Sequence, residues 1–261
     1  MSPVDEDSYF GLPDLFTPIY DEVHISVCFT WDIYKAIFLH KNWLNHGKII
    51  KVGGPAFHGE ATDGFKAGMY LRQGITITSR GCLFRCPWCF IKQDLIEIND
   101  FPEGNIIQDI NLLACSKRHL DKVFSMLSKQ HRIQFSGGLD SRLLTDSIIE
   151  RLRGLKIYQL FLSYDDPSRF KSIVTVAEKL KKYFRRNQLR CYVLIGFGND
   201  TVFEAEERLK EIFELGFIPY AMLYRNKSGE FPQPKREWKK LQKRWCRPAI
   251  IKSKFRDEFF R

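Results

Sequence analysis

Short apolar runs alternate with amphipathic stretches along most of this chain, and this alternation restricts the fold more than any other feature. Runs with strand character at 75–78, 133–136, 158–164, 190–195 and 219–224 alternate with helical patterns at 109–129, 145–153, 169–184 and 201–215. Glycine-rich turns connect them, and Asp109 is placed to cap the first of these helices. This order predicts an α/β fold with a mainly parallel sheet.

The first 73 residues contain a smaller unit of the same kind. A β-rich run at 23–29 precedes a helix that is predicted to begin after Asp32 and to stop before Gly47, and a second strand follows at 48–52. Strand, helix and strand at this spacing indicate a parallel βαβ unit. We therefore divide the chain into a βαβ extension (1–73), a core (74–224) and a C-terminal tail (225–261).

Three cysteines lie close together directly after the first core strand. Cys82, Cys86 and Cys89 form a Cys-x3-Cys-x2-Cys pattern in the segment SRGCLFRCPWCF. Thiolates suit zinc or an iron–sulfur cluster. Structural zinc normally takes four ligands, and the nearby sequence has no second cysteine pair, while His58 and His119 are distant along the chain. A three-cysteine [4Fe–4S] cluster would leave one iron open to a chelating ligand.

The other four cysteines, at positions 28, 115, 191 and 246, are isolated, so no second cluster is expected. Cys28 and Cys191 lie in strand patterns and are predicted to be core thiols. Clustered cysteines in an odd total of seven favour a metal site in a reducing compartment. The acidic N-terminus lacks the features of a signal peptide, and no apolar run is long enough to span a membrane, so we expect a cytoplasmic protein.

The cysteine loop resembles the defining motif of the radical S-adenosylmethionine (radical SAM) superfamily, including an aromatic residue, Trp88, before the last cysteine. The resemblance covers 74–224. It implies a partial (β/α)6-type TIM barrel, a [4Fe–4S] cluster on Cys82, Cys86 and Cys89, and SAM chelating the open iron. It also implies an external flavodoxin- or ferredoxin-like electron donor, and reductive cleavage of SAM to a 5′-deoxyadenosyl radical. It names neither the substrate nor a catalytic side chain.

The resemblance also implies a set of SAM contacts at later strand ends. Trp88 would lie beside the adenine. Gly137-Gly138 resembles the family's Gly-Gly-Glu element, which contacts the SAM amino group, although here Leu139 replaces the glutamate and Asp140 follows. The remaining expected contacts are Ser163 and Asp165 near the ribose, and Ile195 and Gly196 against the adenine. Since ligands of parallel α/β sheets gather at the carboxyl ends of the strands, these residues are expected to share one face.

The N-terminal βαβ unit resembles the region before the core in cobalamin-binding radical SAM proteins. It would be a remnant of a Rossmann-like domain. The family's cobalamin-ligating Asp-x-His-x-x-Gly signature does not occur in the sequence, so bound cobalamin is not expected.

The net charge of +10 is concentrated in the tail, where residues 225–261 hold 13 Lys or Arg and 4 Asp or Glu. Within 237–247, Trp238, Leu241 and Trp245 follow helical spacing and predict a helix that packs by one face and presents a basic outer face. That basic face is either a solvated surface or a surface for nucleic acid or another phosphate-bearing substrate. The alternative to an enzyme is a zinc-stabilised nucleic-acid-binding protein without catalysis.

Overall fold

The computed structural model describes residues 2–57 and 70–255 and divides them into two units. One unit comprises the described residues up to Gln73 together with Asn226–Glu230. The other comprises Gly74–Arg225 and the described residues from Phe231 onward, so the C-terminal helices belong to the same unit as the core strands.

The first unit is built on a parallel βαβ arrangement, as the sequence predicts. Strand β1 (Tyr20–Ser26) is followed by helix α1 (Ile33–Trp43) and strand β2 (Gly47–Gly53). The two strands pair in parallel, from Tyr20 opposite Gly47 to Ser26 opposite Gly53. The prediction that Cys28 is a core thiol was wrong: its side chain is exposed, because β1 ends two residues earlier.

The second unit alternates strands and helices along the chain. Its first part contains four short strands, β3 (Ile75–Thr76), β4 (Ser79–Arg80), β5 (Ile96–Glu97) and β6 (Ile106–Ile107). The regular alternation then comprises α2 (Lys117–Ser128), β7 (Ile133–Leu139), α3 (Asp146–Arg153), β8 (Ile157–Tyr164), α4 (Phe170–Leu180), β9 (Leu189–Ile195), α5 (Val202–Glu214), β10 (Ile218–Leu223), α6 (Lys235–Trp245) and α7 (Pro248–Lys254).

A six-stranded parallel sheet organises this unit, in the order β10-β9-β8-β7-β6-β3. The spatial order follows the chain order without reversal, so every strand lies beside the next strand of the sheet. The mixed α/β architecture with a parallel sheet confirms the coarse fold prediction. Strand β6 has no counterpart among the predicted strands, since two residues are too few to produce a periodic pattern.

The helices cover one face of the sheet. Along β9 the odd-numbered residues Leu189, Cys191, Val193 and Ile195 are fully buried in the main hydrophobic cluster, while the even-numbered residues between them are only partly buried. Strand β8 shows the same alternation. Because successive strand side chains point to opposite faces, the sheet has one helix-covered face and one less covered face.

Helix α2 begins later than the sequence predicts. It starts at Lys117, where Ser116 caps it by accepting a hydrogen bond from the His119 backbone N–H. The prediction that Asp109 caps this helix was therefore wrong. The Asp109 carboxylate accepts hydrogen bonds from Thr78 and Ser79 instead. Thr145 caps α3, and Thr201 forms a capping box on α5. Asp32 stands at the N-cap of α1, but its side chain makes no capping hydrogen bond there.

Helix α6 packs against β10 and α5 through the predicted apolar stripe. Trp238, Leu241 and Trp245 are almost completely buried, and Glu206 on α5 accepts hydrogen bonds from Arg244 and from the Trp245 indole. None of the helices in the described part of the chain has the length and apolar composition that a membrane span needs.

This packing makes the tail helix part of the core. We expect Trp238→Ala to lower the free energy of unfolding by about 3–5 kcal/mol, because the truncation leaves a cavity in a fully packed region. Denaturant titration followed by circular dichroism measures the effect. Lys240→Ala, an exposed change on the same helix, is the control and should cost less than about 0.5 kcal/mol. Equal stability of both variants would show that α6 is not integrated into the fold.

Candidate cluster and cofactor site

The cysteine loop is closed at its base by a short antiparallel ladder. Strands β4 and β5 pair, and beyond them the backbone N–H of Cys82 donates to the carbonyl of Gln93 over 3.1 Å. Gly81 has a φ of +75°, and a Cβ atom there would lie 1.9 Å from the carbonyl oxygen of Asp94. Only glycine fits this close approach, so Gly81 determines where the loop closes.

Contacts within the loop hold its shape. The backbone N–H of Cys89 donates to the carbonyl of Cys86 over 3.1 Å, which makes a turn between these two cysteines. Arg85 donates to the carbonyl of Cys82 over 2.5 Å and forms an ion pair with Asp94. The loop that carries the three thiols is thus ordered by its own polar groups.

All three thiols are partly buried. Among residues 2–57 and 70–255, no three or more His, Cys, Asp or Glu side chains are arranged to hold a metal ion. Burial is the main cause that raises the pKa of Cys89, and charge on Cys86 and Cys82 adds to it. Three thiols on one closed loop suit an iron–sulfur cluster by their donor chemistry.

Of the two histidines considered as a fourth zinc ligand, His119 has a partner of its own in the described structure. His119 is buried, and its Nε2 lies 3.2 Å from the Thr78 hydroxyl. His58 lies outside the described residues.

Two of the three sulfurs accept hydrogen bonds from side chains outside the loop. The Asn111 carboxamide donates to the Cys82 Sγ over 3.4 Å, and the Arg169 guanidinium donates to the Cys86 Sγ over 3.4 Å. The backbone N–H of Phe84 also donates to Cys82 Sγ. Donors of this kind stabilise negative charge on sulfur, as a thiolate ligand requires.

A buried carboxylate fixes the segment behind the loop. Asp109 accepts hydrogen bonds from the Thr78 backbone N–H at 2.7 Å, the Thr78 hydroxyl at 2.6 Å and the Ser79 hydroxyl at 2.6 Å. Burial raises the pKa of Asp109, and these hydrogen bonds oppose the increase. Because Ser79 lies three residues before Cys82, this network ties the start of the loop to the end of β6.

Gly137 and Gly138 lie in the last part of β7, where the pairing with β8 changes register. A Cβ atom on Gly137 would lie 1.9 Å from the Asp109 carbonyl oxygen, and Gly138 has a φ of +87°. The two glycines therefore allow β7 to approach the Asp109 segment closely and then turn. This provides a physical reason for the glycine pair, independent of any cofactor.

Asp140 is occupied by a neighbouring arginine. Arg142 donates to both of its carboxylate oxygens, and its guanidinium lies 3.6 Å from the ring centroid of Phe84 in the cysteine loop. Burial raises the pKa of Asp140, but the hydrogen bonds and charge of Arg142, with the charge of Arg169, outweigh it and leave that pKa lowered. Asp140 thus holds Arg142 against the loop.

Trp88, Asp165 and Arg169 form a second cluster beside the cysteines. Arg169 lies 5.2 Å from the Trp88 ring centroid, and both residues lie close enough to Asp165 to affect its pKa. Burial raises the pKa of Asp165 to about 6, although the charge of Arg169 and the polar Trp88 side chain oppose the increase. The Asp165 carboxyl is therefore poised to titrate just below neutral pH.

A cavity of about 840 Å³ opens next to this cluster. Trp88, Leu194 and Phe197 contribute to its apolar wall, and the Trp88 and Phe197 rings meet edge to face at 5.9 Å. Arg208 is the cation in its lining. The rest of the polar lining consists mainly of the carboxylates of Asp165, Asp166, Asp200, Glu204, Glu207 and Glu211. The cavity suits a ligand with an apolar planar part and a positively charged part.

Of the predicted cofactor contacts, the structure brings Trp88 and Asp165 to this cavity and leaves the others away from its lining. The Ile195 side chain is fully buried in the helix-covered core, and its neighbour Leu194 lines the cavity instead. Gly196 has a φ of +76°, and its backbone N–H donates to Asp200 over 2.7 Å. Ser163 lies in β8 opposite Tyr192.

Sequence reasoning missed the donors that surround the thiols. Arg142 and Arg169 each lie a few residues after the end of a predicted strand. This position, where ligand-binding residues of parallel sheets gather, is the one sequence feature that could have identified them. Asn111 has no recognisable pattern, because only folding brings it to Cys82. Comparison with protein-family models and with curated protein sequences gave no match.

The raised pKa of Asp165 makes a prediction about stability. A carboxyl whose pKa is higher in the folded than in the unfolded chain stabilises the fold at low pH, and this contribution is lost as the pH rises from about 4 to about 6. Asp165→Asn should remove this dependence. The stability of the wild type relative to the variant should fall by about 3 kcal/mol across that range.

Denaturant unfolding of the two proteins at several pH values measures the difference. Asp166→Asn is the matched control: backbone and side-chain hydrogen bonding to Ser168 lowers the pKa of Asp166, so its effect on stability should have the opposite sign. A flat difference between wild type and Asp165→Asn would show that Asp165 is not buried as described.

Proposed function

We propose that this chain is a radical SAM enzyme that acts on an unidentified substrate. In this proposal Cys82, Cys86 and Cys89 bind a [4Fe–4S] cluster, and SAM binds beside Trp88. The observation that carries the proposal is the juxtaposition of two features. A closed loop with three thiols receives hydrogen bonds on two of its sulfurs, and it lies next to a cavity whose wall begins at Trp88.

The winding of the sheet supports the finer fold assignment, a partial (β/α)6-type TIM barrel. In doubly wound sheets the strand order reverses at a switch point, whereas in barrels each strand lies beside its neighbour in the chain. The six parallel strands here follow the second pattern. Among the described residues, the two edge strands of this sheet, β3 and β10, do not pair with each other, as expected of a partial barrel.

When bound, the cluster and SAM would supply one-electron cleavage of the cofactor to methionine and a 5′-deoxyadenosyl radical that removes a hydrogen atom from the substrate. The chain's own residues have three tasks. The cysteines bind iron, Arg142 and Arg169 offset the negative charge of the thiolates, and the apolar cavity wall excludes water from the reacting centre.

The cavity has the chemistry to bind the nucleoside part of SAM. Trp88, Leu194 and Phe197 offer an apolar surface for a planar base, and the carboxylates offer partners for a sulfonium cation. Ser163 and Gly196 stay in the proposal as contacts predicted from the resemblance, and Ile195, whose side chain is fully buried, stays only as a backbone contact. Since Arg142 already engages Asp140, contacts to the SAM amino group would come from the backbone carbonyls of Gly137 and Gly138.

An external electron donor, of the flavodoxin or ferredoxin type, is part of the proposal, because a cluster that cleaves SAM must be strongly reducing. Leu83 and Arg85 are exposed on the cysteine loop, and such a donor would approach on this side. A cytoplasmic location agrees with seven unpaired cysteines and an oxygen-sensitive cluster.

Anaerobic reconstitution with iron and sulfide tests the proposal. We expect about four irons and four sulfides per chain, and dithionite should then drive cleavage of SAM to 5′-deoxyadenosine. Cys86→Ala should abolish cluster binding. Cys28→Ala, at an exposed cysteine, should keep the full cluster. Stoichiometric zinc with no bound iron and no SAM cleavage would contradict the proposal and favour a zinc-stabilised nucleic-acid-binding protein.

The basic face of α6 favours a phosphate-bearing substrate, with nucleic acid as the macromolecular form. Five of its basic residues are exposed and form no ion pair in the described structure: Lys235, Arg236, Lys239, Lys240 and Lys243. Two of them, together with Arg225, surround the Phe231 ring at 4.9–5.3 Å. Exposed basic side chains around an aromatic ring are the chemistry that binds single-stranded nucleic acid.

Charge reversal tests this surface. The triple variant Lys239→Glu, Lys240→Glu, Lys243→Glu should weaken binding of a labelled single-stranded oligonucleotide. It should also reduce the slope of log affinity against log salt by about 2. The control reverses three exposed lysines elsewhere in the same unit, Lys117, Lys171 and Lys182, and changes net charge equally. If both variants lose the same affinity, the α6 face is only a solvated surface.

A further inference from the structure

Asn111 is a buried polar residue whose position the fold does not otherwise explain. Its side chain is 4% exposed. It stands at the N-cap position of a short 3-10 turn at Leu112–Ala114, but its side chain makes no capping hydrogen bond there. Its Oδ1 has no hydrogen-bond partner in the described structure, and its Nδ2 donates to the Cys82 sulfur.

A buried carboxamide with an unpaired oxygen costs free energy. An apolar residue of similar size would fill the same space without this cost. The one interaction that a carboxamide adds here is the N–H···S contact to Cys82. The stability of the fold therefore does not account for asparagine at this position.

The backbone just before Asn111 is held in place. Two residues earlier, Asp109 is tied to Thr78 and Ser79 by three hydrogen bonds, and its carbonyl oxygen contacts Gly137. Asp109 is therefore a fixed point of the backbone, two residues before Asn111. This fixed backbone carries the side chain whose N–H group donates to the sulfur.

We infer that Asn111 is a positioning residue that adjusts the reduction potential of the cluster through its hydrogen bond to Cys82. The inference rests on the proposed cluster and names the residue that tunes it. Donors to ligand sulfurs withdraw negative charge, and the reduced cluster carries one more negative charge than the oxidised one. The donor therefore stabilises the reduced form and raises the potential.

The test is the midpoint potential of the reconstituted protein, measured by anaerobic redox titration with electron paramagnetic resonance. Asn111→Leu should keep the iron content and lower the potential by about 59 mV, which corresponds to about a tenfold change in the one-electron equilibrium. The unfolding free energy should stay equal or rise, because the unpaired oxygen is removed. Loss of stability with an unchanged potential would show that Asn111 is merely structural.

Thr76→Val is the matched control. Thr76 is fully buried, and its hydroxyl oxygen also has no partner, but no bond joins it to a sulfur. Its replacement should leave the potential unchanged. An equal shift in both variants would mean that the polarity of the interior, and not the bond to Cys82, sets the potential.

A second variant, Asn111→Asp, tests the inference if leucine at this position disturbs the cysteine loop. It keeps the shape of the side chain and, in titrations at a pH where the new carboxyl is ionised, replaces the donor by a negatively charged acceptor, so the potential should fall further than with leucine. An unchanged or higher potential in an iron-loaded Asn111→Asp protein overturns the inference. Absence of bound iron in the wild type overturns the proposed function, and the inference with it, so the two failures are distinguishable.

Discussion

The candidate site depends on one buried carboxylate. Asp109 joins the end of β6 to the segment that leads into the cysteine loop, through three short hydrogen bonds from Thr78 and Ser79. Its carbonyl oxygen also occupies the space that a side chain on Gly137 would fill. Burying a charged group costs free energy unless its hydrogen bonds are satisfied. The hydroxyls and backbone around Asp109 therefore stay in the one arrangement that satisfies them. The cysteine loop, the Gly137-Gly138 turn and Asn111 all take their positions from this arrangement.

The parallel sheet then determines what else lies near the loop. The six strands of the main sheet all run in the same direction, so residues just past the strand ends collect on one side of the sheet. Arg142 follows β7, and Arg169 follows β8. Both reach the cysteine loop, Arg142 by stacking on Phe84 and Arg169 by a bond to the Cys86 sulfur. The site is therefore assembled from short-range contacts made by residues that are far apart in sequence.

Much of the fold is readable from the sequence, because long strands and amphipathic helices leave a periodic signal. The limits are physical. An aspartate before an apolar run looks like a helix cap, and only the folded position of Thr78 shows that Asp109 does something else. Val193, Leu194 and Ile195 are all apolar, so their sequence does not show which of them faces the helices. Only the structure shows that Leu194, and not Ile195, lines the cavity. Asn111 carries no local signal at all.

The charges around the thiols resolve an apparent conflict in the proposed function. Three thiolates need compensating cations to bind iron stably, yet a net positive environment would raise the potential of a cluster that must remain strongly reducing. Here the two arginines that reach the loop from the ends of β7 and β8 are each paired with a carboxylate, Arg142 with Asp140 and Arg169 with Asp166 at 3.9 Å. The arginines can therefore donate hydrogen bonds and place positive charge near the loop, while the net charge of each ion pair is zero. Fine adjustment of the potential then falls to an uncharged donor, and Asn111 is the buried one that contacts a ligand sulfur.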